Sequence, residues 1–416
     1  MKGRSALALC VAAVLGVVVA ACGSSGSSST GKVSGTSLTV YSSLPLQGGL
    51  SDVSQATVNG AKMALAAAGG KVGKYTITYK PLDDSTAAAG SWDPGQTTNN
   101  AHTACDNSNT IGYLGEFNSG ASAISIPILN RCGIPQISPS NTAVGLTSNG
   151  NGAAPGEPQK YYPTGKRTYA RVVPYDTVQA AAQAALQKSQ GCTKTYVLDD
   201  NEVDGEDRAT SFALAAQSSG LRVLGTQQFD PHATDFTALA QTIATSGANC
   251  VLVSAISGSN AVPVTRAIAA ALPHAQLFAP AGVAQSTYVS PAEGGIPLSD
   301  DARVLITSPV LGGGAYPPAA RAFLQAFTSR YGPPEPDAIL GYEAMRLMLA
   351  AIRTATHNGQ QPARRSAVVR AIFDTRNRHS VLGTYSIQPD GNTTMPLYGV
   401  WKAVNGTLRF WKAFHG

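Results

Sequence analysis

Short apolar segments rich in β-branched and aromatic residues alternate with amphipathic helical segments along most of this 416-residue chain. The first predicted strand covers residues 38–42 (LTVYS), a helix is predicted over 55–68, and a second strand over 75–81 follows it. This alternation is typical of βαβ units, in which parallel strands form a sheet and helices cover its faces. We therefore predict an α/β fold built on parallel sheets.

The alternating pattern occurs twice. Four strands with interposed helices are predicted in the first unit, and a second unit begins with a helix over 177–189 and a strand over 195–198. Between the units, residues 149–167 are rich in Gly and Pro and are predicted to form a long surface loop. A helix over 338–355 follows the second unit, and the chain ends in a hairpin that turns at Asn405-Gly406. The sequence thus predicts two similar α/β lobes.

The composition supports a packed protein and argues against nucleic-acid binding. Hydrophobic residues make up 43% of the chain, whereas charged residues make up only 13%, against about 25% in an average globular protein. The net charge is +6, but no basic run is interleaved with aromatic residues. The basic footprint of a nucleic-acid-binding protein is therefore missing, and no nucleic-acid partner is expected.

The first residues have the pattern of an export signal. Lys2 and Arg4 precede an apolar run over 6–21, which is shorter than the roughly 20 residues that a membrane-spanning helix needs. The run ends in Val19-Ala20-Ala21-Cys22, which resembles a bacterial lipobox. We predict a lipoprotein signal peptide over 1–21, a lipid (diacylglycerol and palmitate) on Cys22, and a flexible Ser/Gly tether over 22–36. The alternative is an ordinary cleavable signal that happens to end near a cysteine.

Four cysteines remain in the exported body, namely Cys105, Cys132, Cys192 and Cys250. An even number of cysteines in an exported chain suggests disulfides, for which four residues allow three pairings, and unpaired buried thiols are the alternative. No CxxC pair occurs, so we expect neither a zinc site nor a redox motif. No metal and no cofactor are predicted.

Several phrases, in this order and spacing, resemble the branched-chain amino acid ABC transporter substrate-binding lipoproteins, a family with the type I periplasmic-binding fold. The likeness covers about residues 37–416. The matching phrases follow predicted strands or open predicted helices. They are SLPLQGG at 43–49, NGA at 59–61, Asp83-Asp84, IPQISPSNT at 134–142, LTS at 146–148, YARVVPYD at 169–176, TDF at 234–236, GYEA at 341–344 and GTY at 383–385.

The resemblance implies two Rossmann-like lobes that are joined by three chain crossings and that bind a ligand in the cleft between them. Lobe one would comprise 37–174 plus 303–392, and lobe two 175–302 plus 393–416. The sheets of this family run in strand order 2-1-3-4-5, which would make the cysteine-bearing strand starts neighbours. The implied disulfides are Cys105–Cys132 and Cys192–Cys250.

In the first lobe, the resemblance places ligand contacts after the third and fourth strands, at the carboxyl ends where open α/β sheets bind ligands. Ser119 and Gly120 open a helix whose free N–H groups suit a carboxylate or amide oxygen. Ser140, Asn141 and Thr142 match positions that hold the ligand's carboxylate and amine. The alternatives are that Ser119 only caps its helix and that Thr142 is a plain turn residue.

In the second lobe, the sequence departs from the family. Asp204 stands where the family has an aromatic lid residue, and Ala281 stands where the amino-acid binders have the acid that pairs with the ligand's ammonium group. Either Asp204 takes over this pairing or the ligand is not an α-amino acid, because an ammonium group is costly to desolvate without a partner. Alternatively, the acidic segment 199–207 is a solvated edge. Asp176 matches a position near the cleft and hinge.

The expected function is that of an extracytoplasmic, lipid-anchored solute-binding protein that acts as a monomer. It would capture a small polar ligand (an amino acid, an amide or a small carboxylate) by hinge closure, for a permease and an ATPase that belong to other chains. We expect no enzymatic activity, since G-x-S-x-G, H-E-x-x-H and G-x-G-x-x-G are all missing. A sensing module for a signalling receptor and, more remotely, a secreted hydrolase are the alternatives.

Overall fold

A computed structural model describes residues 31–415 of the chain. The predicted signal peptide, Cys22 and the first part of the predicted tether lie outside the described residues. None of the helices within 31–415 is long and apolar enough to cross a membrane.

The first half of the chain forms six strands and three helices. Asp93 begins α2 as its N-cap by accepting a hydrogen bond from the Gln96 N–H (2.8 Å). The elements are β1 (Ser37–Leu44), α1 (Ser51–Ala67), β2 (Lys71–Val72), β3 (Tyr75–Asp83), α2 (Pro94–Asp106), β4 (Thr110–Gly115), α3 (Ser119–Arg131), β5 (Gln136–Ser138) and β6 (Tyr169–Arg171).

The middle of the chain repeats the alternation. Two helices of this part, α5 and α6, end at glycines in the left-handed conformation, Gly220 and Gly247. The elements are α4 (Asp176–Ser189), β7 (Lys194–Asp199), α5 (Val203–Ser219), β8 (Arg222–Gln228), α6 (Thr237–Ser246), β9 (Cys250–Ser254), α7 (Ala261–Ala271), β10 (Gln276–Ala279), α8 (Ser286–Val289) and β11 (Val304–Ser308).

The last part of the chain adds three helices and two hairpins. The predicted turn at Asn405-Gly406 joins the two C-terminal strands, with both residues at positive φ as such a turn requires. The elements are α9 (Pro318–Tyr331), α10 (Ala338–Ala355), α11 (Arg365–Phe373), β12 (Arg378–Ser380), β13 (Gly383–Tyr385), β14 (Leu397–Val404) and β15 (Thr407–His415).

The strands form two large sheets. The first has the order β2-β3-β1-β4-β5-β6 and the second the order β15-β14-β11-β10-β9-β7-β8. Within each, five strands are parallel and follow the order 2-1-3-4-5 that the resemblance implies. Helices α9 to α11 return to the first sheet, since α10 packs along α1 and α11 packs against α10. The predicted two-lobed α/β fold with parallel sheets is confirmed.

One predicted lobe boundary is wrong. The first lobe was expected to resume at residue 303, but β11 pairs in parallel with β10 and antiparallel with β14, which places it in the second sheet. The crossing back to the first lobe therefore follows Ser308. The physical reason is that β11 is a fully buried apolar strand that completes its sheet, and its sequence carries no break in composition at residue 303.

The segment 149–167 is less exposed than predicted. Tyr161 and Tyr162 are buried, and the Tyr162 hydroxyl donates a hydrogen bond to the Leu146 carbonyl (2.7 Å). Its basic side chains also have partners, because Lys160 lies 2.9 Å from a Glu157 carboxylate oxygen and the Arg167 guanidinium covers the Tyr162 ring. The segment is a surface connection anchored by two buried aromatic rings.

Helices α1 and α10 touch at two glycines. A side chain on Gly60 would begin 2.0 Å from the Ala338 carbonyl oxygen, and one on Gly341 would begin 2.1 Å from the Thr57 carbonyl oxygen. Only glycine allows two helix backbones to approach so closely. This contact fixes the start of α10, and with it the residue immediately before the helix, Asp337.

Both implied disulfides are present in the structure. Cys105 pairs with Cys132 across a Cα–Cα distance of 5.7 Å, and Cys192 pairs with Cys250 across 5.8 Å. Each bond joins the starts of neighbouring strands, at the edge of the sheet opposite the predicted cleft.

The Cys105→Ala/Cys132→Ala variant is expected to lose about 3 kcal/mol of unfolding free energy, because the 27-residue separation restricts the unfolded chain. Urea unfolding of the wild-type and variant proteins measures this loss, with the second disulfide left intact in both. A loss below about 1 kcal/mol would show that this crosslink contributes little.

Candidate functional site

A cavity of about 30 Å³ lies where the carboxyl ends of the strands of both sheets face each other. Such a volume holds about two water molecules. The cavity is lined from both lobes and from the chain segments next to the crossings. Its lining residues are Phe117, Asn118, Ser119, Ser140, Thr142, Asp204, Arg208, Ile256, Ala281, Gly282, Pro309 and Asp337.

A larger groove, of about 700 Å³, lies between α9 and the hairpin of β14 and β15. It reaches the carboxyl end of β11 through Val310 and Leu311, but the residues that directly follow the other parallel strands do not line it. Its acidic residue, Glu335, already accepts a hydrogen bond from the Ser286 N–H (3.2 Å). The smaller cavity is therefore the candidate functional site, because it collects the polar side chains that follow the strands of both sheets.

The first lobe contributes two hydroxyl groups on rigid supports. Ser119 is the first residue of α3, and its Oγ accepts a hydrogen bond from the Ala143 N–H (3.3 Å). Thr142 follows β5, in a loop whose Asn141 carbonyl accepts a hydrogen bond from the buried guanidinium of Arg171 (3.1 Å). Buried polar contacts of this kind hold the loop in place and orient Thr142 toward the second lobe.

The second lobe contributes an acid and a base from one helix. Asp204 and Arg208 lie one turn apart on α5 and form an ion pair. Arg208 is 1% exposed, whereas the Asp204 side chain is 14% exposed. Asp204 therefore retains a route to solvent, while the guanidinium is enclosed.

The Asp204 carboxylate joins the two lobes. Its Oδ1 accepts hydrogen bonds from the Thr142 hydroxyl (2.8 Å) and the Ser119 hydroxyl (3.3 Å), and its Oδ2 pairs with Arg208. Charge-assisted hydrogen bonds of this kind are stronger than neutral ones. The two hydroxyls predicted to bind a ligand thus hold a carboxylate of the protein itself.

Arg208 is the centre of a buried network. Its Nε donates to Asp176 Oδ1 and to Gln179 Oε1 (both 3.2 Å), its Nη1 donates to the Ser254 hydroxyl (3.2 Å), and its Nη2 donates to the Thr142 hydroxyl (3.3 Å). Arg208 was not among the predicted site residues. The sequence signal that could have identified Arg208 as a site residue is its position four residues after Asp204.

The predicted binding residues divide into two groups. Ser119, Ser140, Thr142, Asp204 and Ala281 line the cavity, and Gly120, Asn141 and Asp176 do not. The alternative that the acidic segment forms a solvated edge is wrong for Asp200 and Asp207, near its two ends, because both are buried.

The three residues outside the cavity have structural partners instead. A side chain on Gly120 would meet the Trp92 ring at 2.7 Å. The Asn141 amide donates to the Phe117 carbonyl (2.8 Å), and its oxygen accepts from the Tyr169 hydroxyl (3.0 Å). Asp176 is fully buried against Arg208, and its backbone N–H donates to the Thr142 carbonyl (2.8 Å).

Further acids of the second lobe surround the cavity. Burial raises the pKa of Asp200 to about 6, and burial together with the neighbouring carboxylates of Asp200 and Asp204 raises the pKa of Glu202 to about 7. Burial and the charge of Asp176 raise the pKa of Asp207 to about 8. The second-lobe side of the cleft is therefore strongly acidic, with Arg208 as its buried cation.

Asp337 is an acid of the cavity that the sequence analysis missed. It directly precedes α10, and its side chain makes no capping hydrogen bond to that helix. Burial, with a smaller effect of the Glu335 charge, raises the pKa of Asp337 to about 7. The carboxyl group thus lies in the cavity wall without a basic partner in the described part of the chain.

Two buried carboxyl groups lie behind the cleft in the first lobe. Asp84 and Glu116 are both fully buried, and the charge of Glu116 acts on the Asp84 carboxyl group. The Tyr113 hydroxyl donates to Glu116 Oε1 (2.9 Å). Burial and the charge of Glu116 raise the pKa of Asp84 well above its ordinary value, and burial raises the pKa of Glu116 to about 7. Because both pKa values are raised, we expect the pair to retain one proton between its carboxyl groups near neutral pH.

Solved structures with the same fold include several binding proteins. A leucine-binding protein from Thermotoga maritima superposes with a TM-score of 0.78 at 20% identity, over 91% of this chain and 99% of that one. A solute-binding protein of an ABC transporter from Rhodopseudomonas palustris HaA2, in complex with p-hydroxybenzoic acid, has a TM-score of 0.74 at 18% identity, over 91% and 97%. A substrate-binding protein of an ABC transporter from Desulfitobacterium hafniense, in complex with Leu, has a TM-score of 0.69 at 17% identity, over 90% and 100%.

No curated protein matches the chain in sequence. The sequence model of one family, described as periplasmic binding protein, matches residues 42–402. This match extends from the end of β1 into β14 and includes every residue that lines the cavity. The chain belongs to the periplasmic binding protein family.

Proposed function

We propose that this protein is a solute-binding protein, not an enzyme, which captures a small polar ligand in the cleft and presents it to an ABC importer. The observation that carries the proposal is the cavity between the strand ends, where Ser119 and Thr142 of one lobe already hold a carboxylate of the other. The similar proteins from Thermotoga and Rhodopseudomonas are described as binding leucine and p-hydroxybenzoic acid, which both contain a carboxylate.

The ligand has to replace the Asp204 carboxylate. A cavity that holds about two water molecules is too small for an amino acid or an aromatic acid. We infer that the lobes separate, that Asp204 turns toward solvent, and that an acceptor group of the ligand takes its place on Ser119 and Thr142. Asp204 would then compete with the ligand in the unliganded protein.

Hinge closure is supported by the path of the chain. It passes between the two sheets three times, after β6, after β11 and before β14. Crossings of this kind allow two rigid lobes to rotate about a few connecting residues. A ligand that contacts both lobes binds the closed arrangement more tightly than the open one. It shifts the equilibrium toward closure by as much as these two affinities differ.

The cell-surface location is a proposal from the sequence. We propose that Cys22 carries the lipid anchor and that the tether holds the lobes at the extracytoplasmic face of the cell membrane, where a monomer would meet its permease. Two or more acyl chains would anchor it stably, where one chain would be marginal.

A thermal-shift screen with amino acids, amides, urea and small carboxylates tests ligand capture. A ligand at 100 times its dissociation constant adds about 2.7 kcal/mol to the unfolding free energy, which raises the melting temperature by a few degrees. We expect at least one of these classes to give such a shift. If every compound leaves the melting temperature unchanged up to millimolar concentration, the proposed ligand range is wrong.

A further inference from the structure

Asp337 has no described partner although it lies in the cavity wall. The hydrogen bonds at this residue use its backbone carbonyl, which accepts from the N–H groups of Leu340 and Gly341. Within residues 31–415, no basic side chain lies within ion-pair distance of its carboxylate, and the nearby Glu335 is itself acidic. A carboxylate in such surroundings is costly to keep ionised unless a cation reaches it.

The cleft has fewer positive than negative groups. Arg208 is the guanidinium in the cavity wall, and Asp176 and Asp204 already use it. Asp337 adds a second carboxyl group to the cavity wall, in addition to that of Asp204. A ligand that carries positive charge would therefore improve the charge balance of the closed cleft.

Asp204 is poorly suited to bind an ammonium group. Its Oδ1 already accepts two hydroxyl hydrogen bonds, and its Oδ2 pairs with Arg208. An ammonium group at Asp204 would lie beside that guanidinium, and the two positive charges would repel each other. Asp337 has neither disadvantage.

Given the proposed binding function, on which this inference rests, we propose that Asp337 selects a ligand with a protonated nitrogen. Ala281, at the position of the family's ammonium-binding acid, lines the same cavity as Asp337. Ala281, in the second lobe, carries no negative charge. Asp337, at the start of α10 in the first lobe, thus supplies that charge instead. The ligand class is a small amine or zwitterion whose nitrogen reaches Asp337 while its acceptor group reaches Ser119 and Thr142.

Two matched pairs of probes test this assignment by isothermal titration calorimetry. L-leucine is compared with isocaproate, and para-(aminomethyl)benzoate with para-toluate, so that each pair differs in the protonated nitrogen. We expect the wild-type protein to bind at least one of the amines at least tenfold more tightly than its matched acid. The Asp337→Asn variant is expected to lose at least tenfold of that amine's affinity and to keep the matched acid within threefold.

The matched control is Glu335→Gln, which removes a neighbouring negative charge that lies in the other groove. This variant is expected to keep the preference for the amine over its matched acid. Asparagine is also a favoured N-cap, so α10 should still form, and Asp337→Ser serves the same purpose if the first variant does not fold. Equal affinities within both pairs, or an amine preference that survives in Asp337→Asn, would overturn the assignment and leave the proposed function standing. Binding of neither amine would also overturn it, and the proposed function would then be judged by the broader thermal-shift screen.

Discussion

Replacing Arg208 with methionine is expected to lower the free energy of unfolding by about 3–5 kcal/mol, because it leaves buried carboxylates without their cation. Arg208 is 1% exposed and lies 3.2 Å from the fully buried Asp176. Methionine fills a similar volume, so the loss reports charge pairing and hydrogen bonding more than packing. Urea unfolding at pH 7 measures the change.

Two further variants separate charge from packing at this position. Arg222→Leu removes an exposed arginine from the same lobe and is expected to change stability by less than about 0.5 kcal/mol. The Arg208→Met/Asp176→Leu variant removes both members of the buried pair and is expected to recover at least half of the loss. If the free energy of unfolding of the single Arg208→Met variant lies within about 1 kcal/mol of the wild-type value, the guanidinium does not stabilise the buried network as we expect.

The protein is expected to be more stable at pH 5 than at pH 8, by several kcal/mol. Glu116, Glu202 and Asp337 have pKa values raised to about 7, and Asp207 to about 8. Between pH 4.5 and these values, the folded protein retains protons that the unfolded chain has released, so the unfolding free energy falls as pH rises. Each unit of raised pKa is worth about 1.4 kcal/mol, and the loss ends once the groups ionise in the folded protein, above about pH 8.

Glu116→Gln tests one fully buried source of this pH dependence. The glutamine amide can donate permanently to Asp84, where the wild-type pair needs a shared proton. We expect the variant to be more stable than the wild type at pH 8, to match it at pH 5, and to show a flatter pH profile. Glu206→Gln, at an exposed position of α5, is the matched control and should leave the profile unchanged. A Glu116→Gln variant that is less stable at pH 8 would contradict the shared-proton description.

Much of the fold could be predicted because its signals are local. The β-branched run of β1 and the helical stripe of α10 identify these elements wherever they lie in the chain. Strand order and disulfide pairing came from the family resemblance. The boundary at residue 303 was misplaced because membership of β11 in the second sheet depends on long-range pairing with β10 and β14.

The candidate site could be predicted only in part. The family resemblance placed Ser119, Thr142 and Asp204 near the cleft, and the structure brings both hydroxyls within hydrogen-bond distance of the Asp204 carboxylate. Arg208 and Asp337 were missed because their importance depends on contacts between residues far apart in sequence. For Asp337, the decisive feature is the close packing of α1 and α10 at two glycines, which positions the helix start at the cavity.

Calorimetric titration of the wild-type and Thr142→Val proteins with the most stabilising ligand of the screen tests most directly whether the cleft is the binding site. Thr265→Val is the matched control, since it removes a buried hydroxyl that contacts Tyr288 in the second lobe (2.8 Å), away from the cavity. We expect one ligand per chain, at least tenfold weaker binding to Thr142→Val, and unchanged binding to Thr265→Val. Equal affinity of the wild-type and Thr142→Val proteins would show that the ligand binds elsewhere.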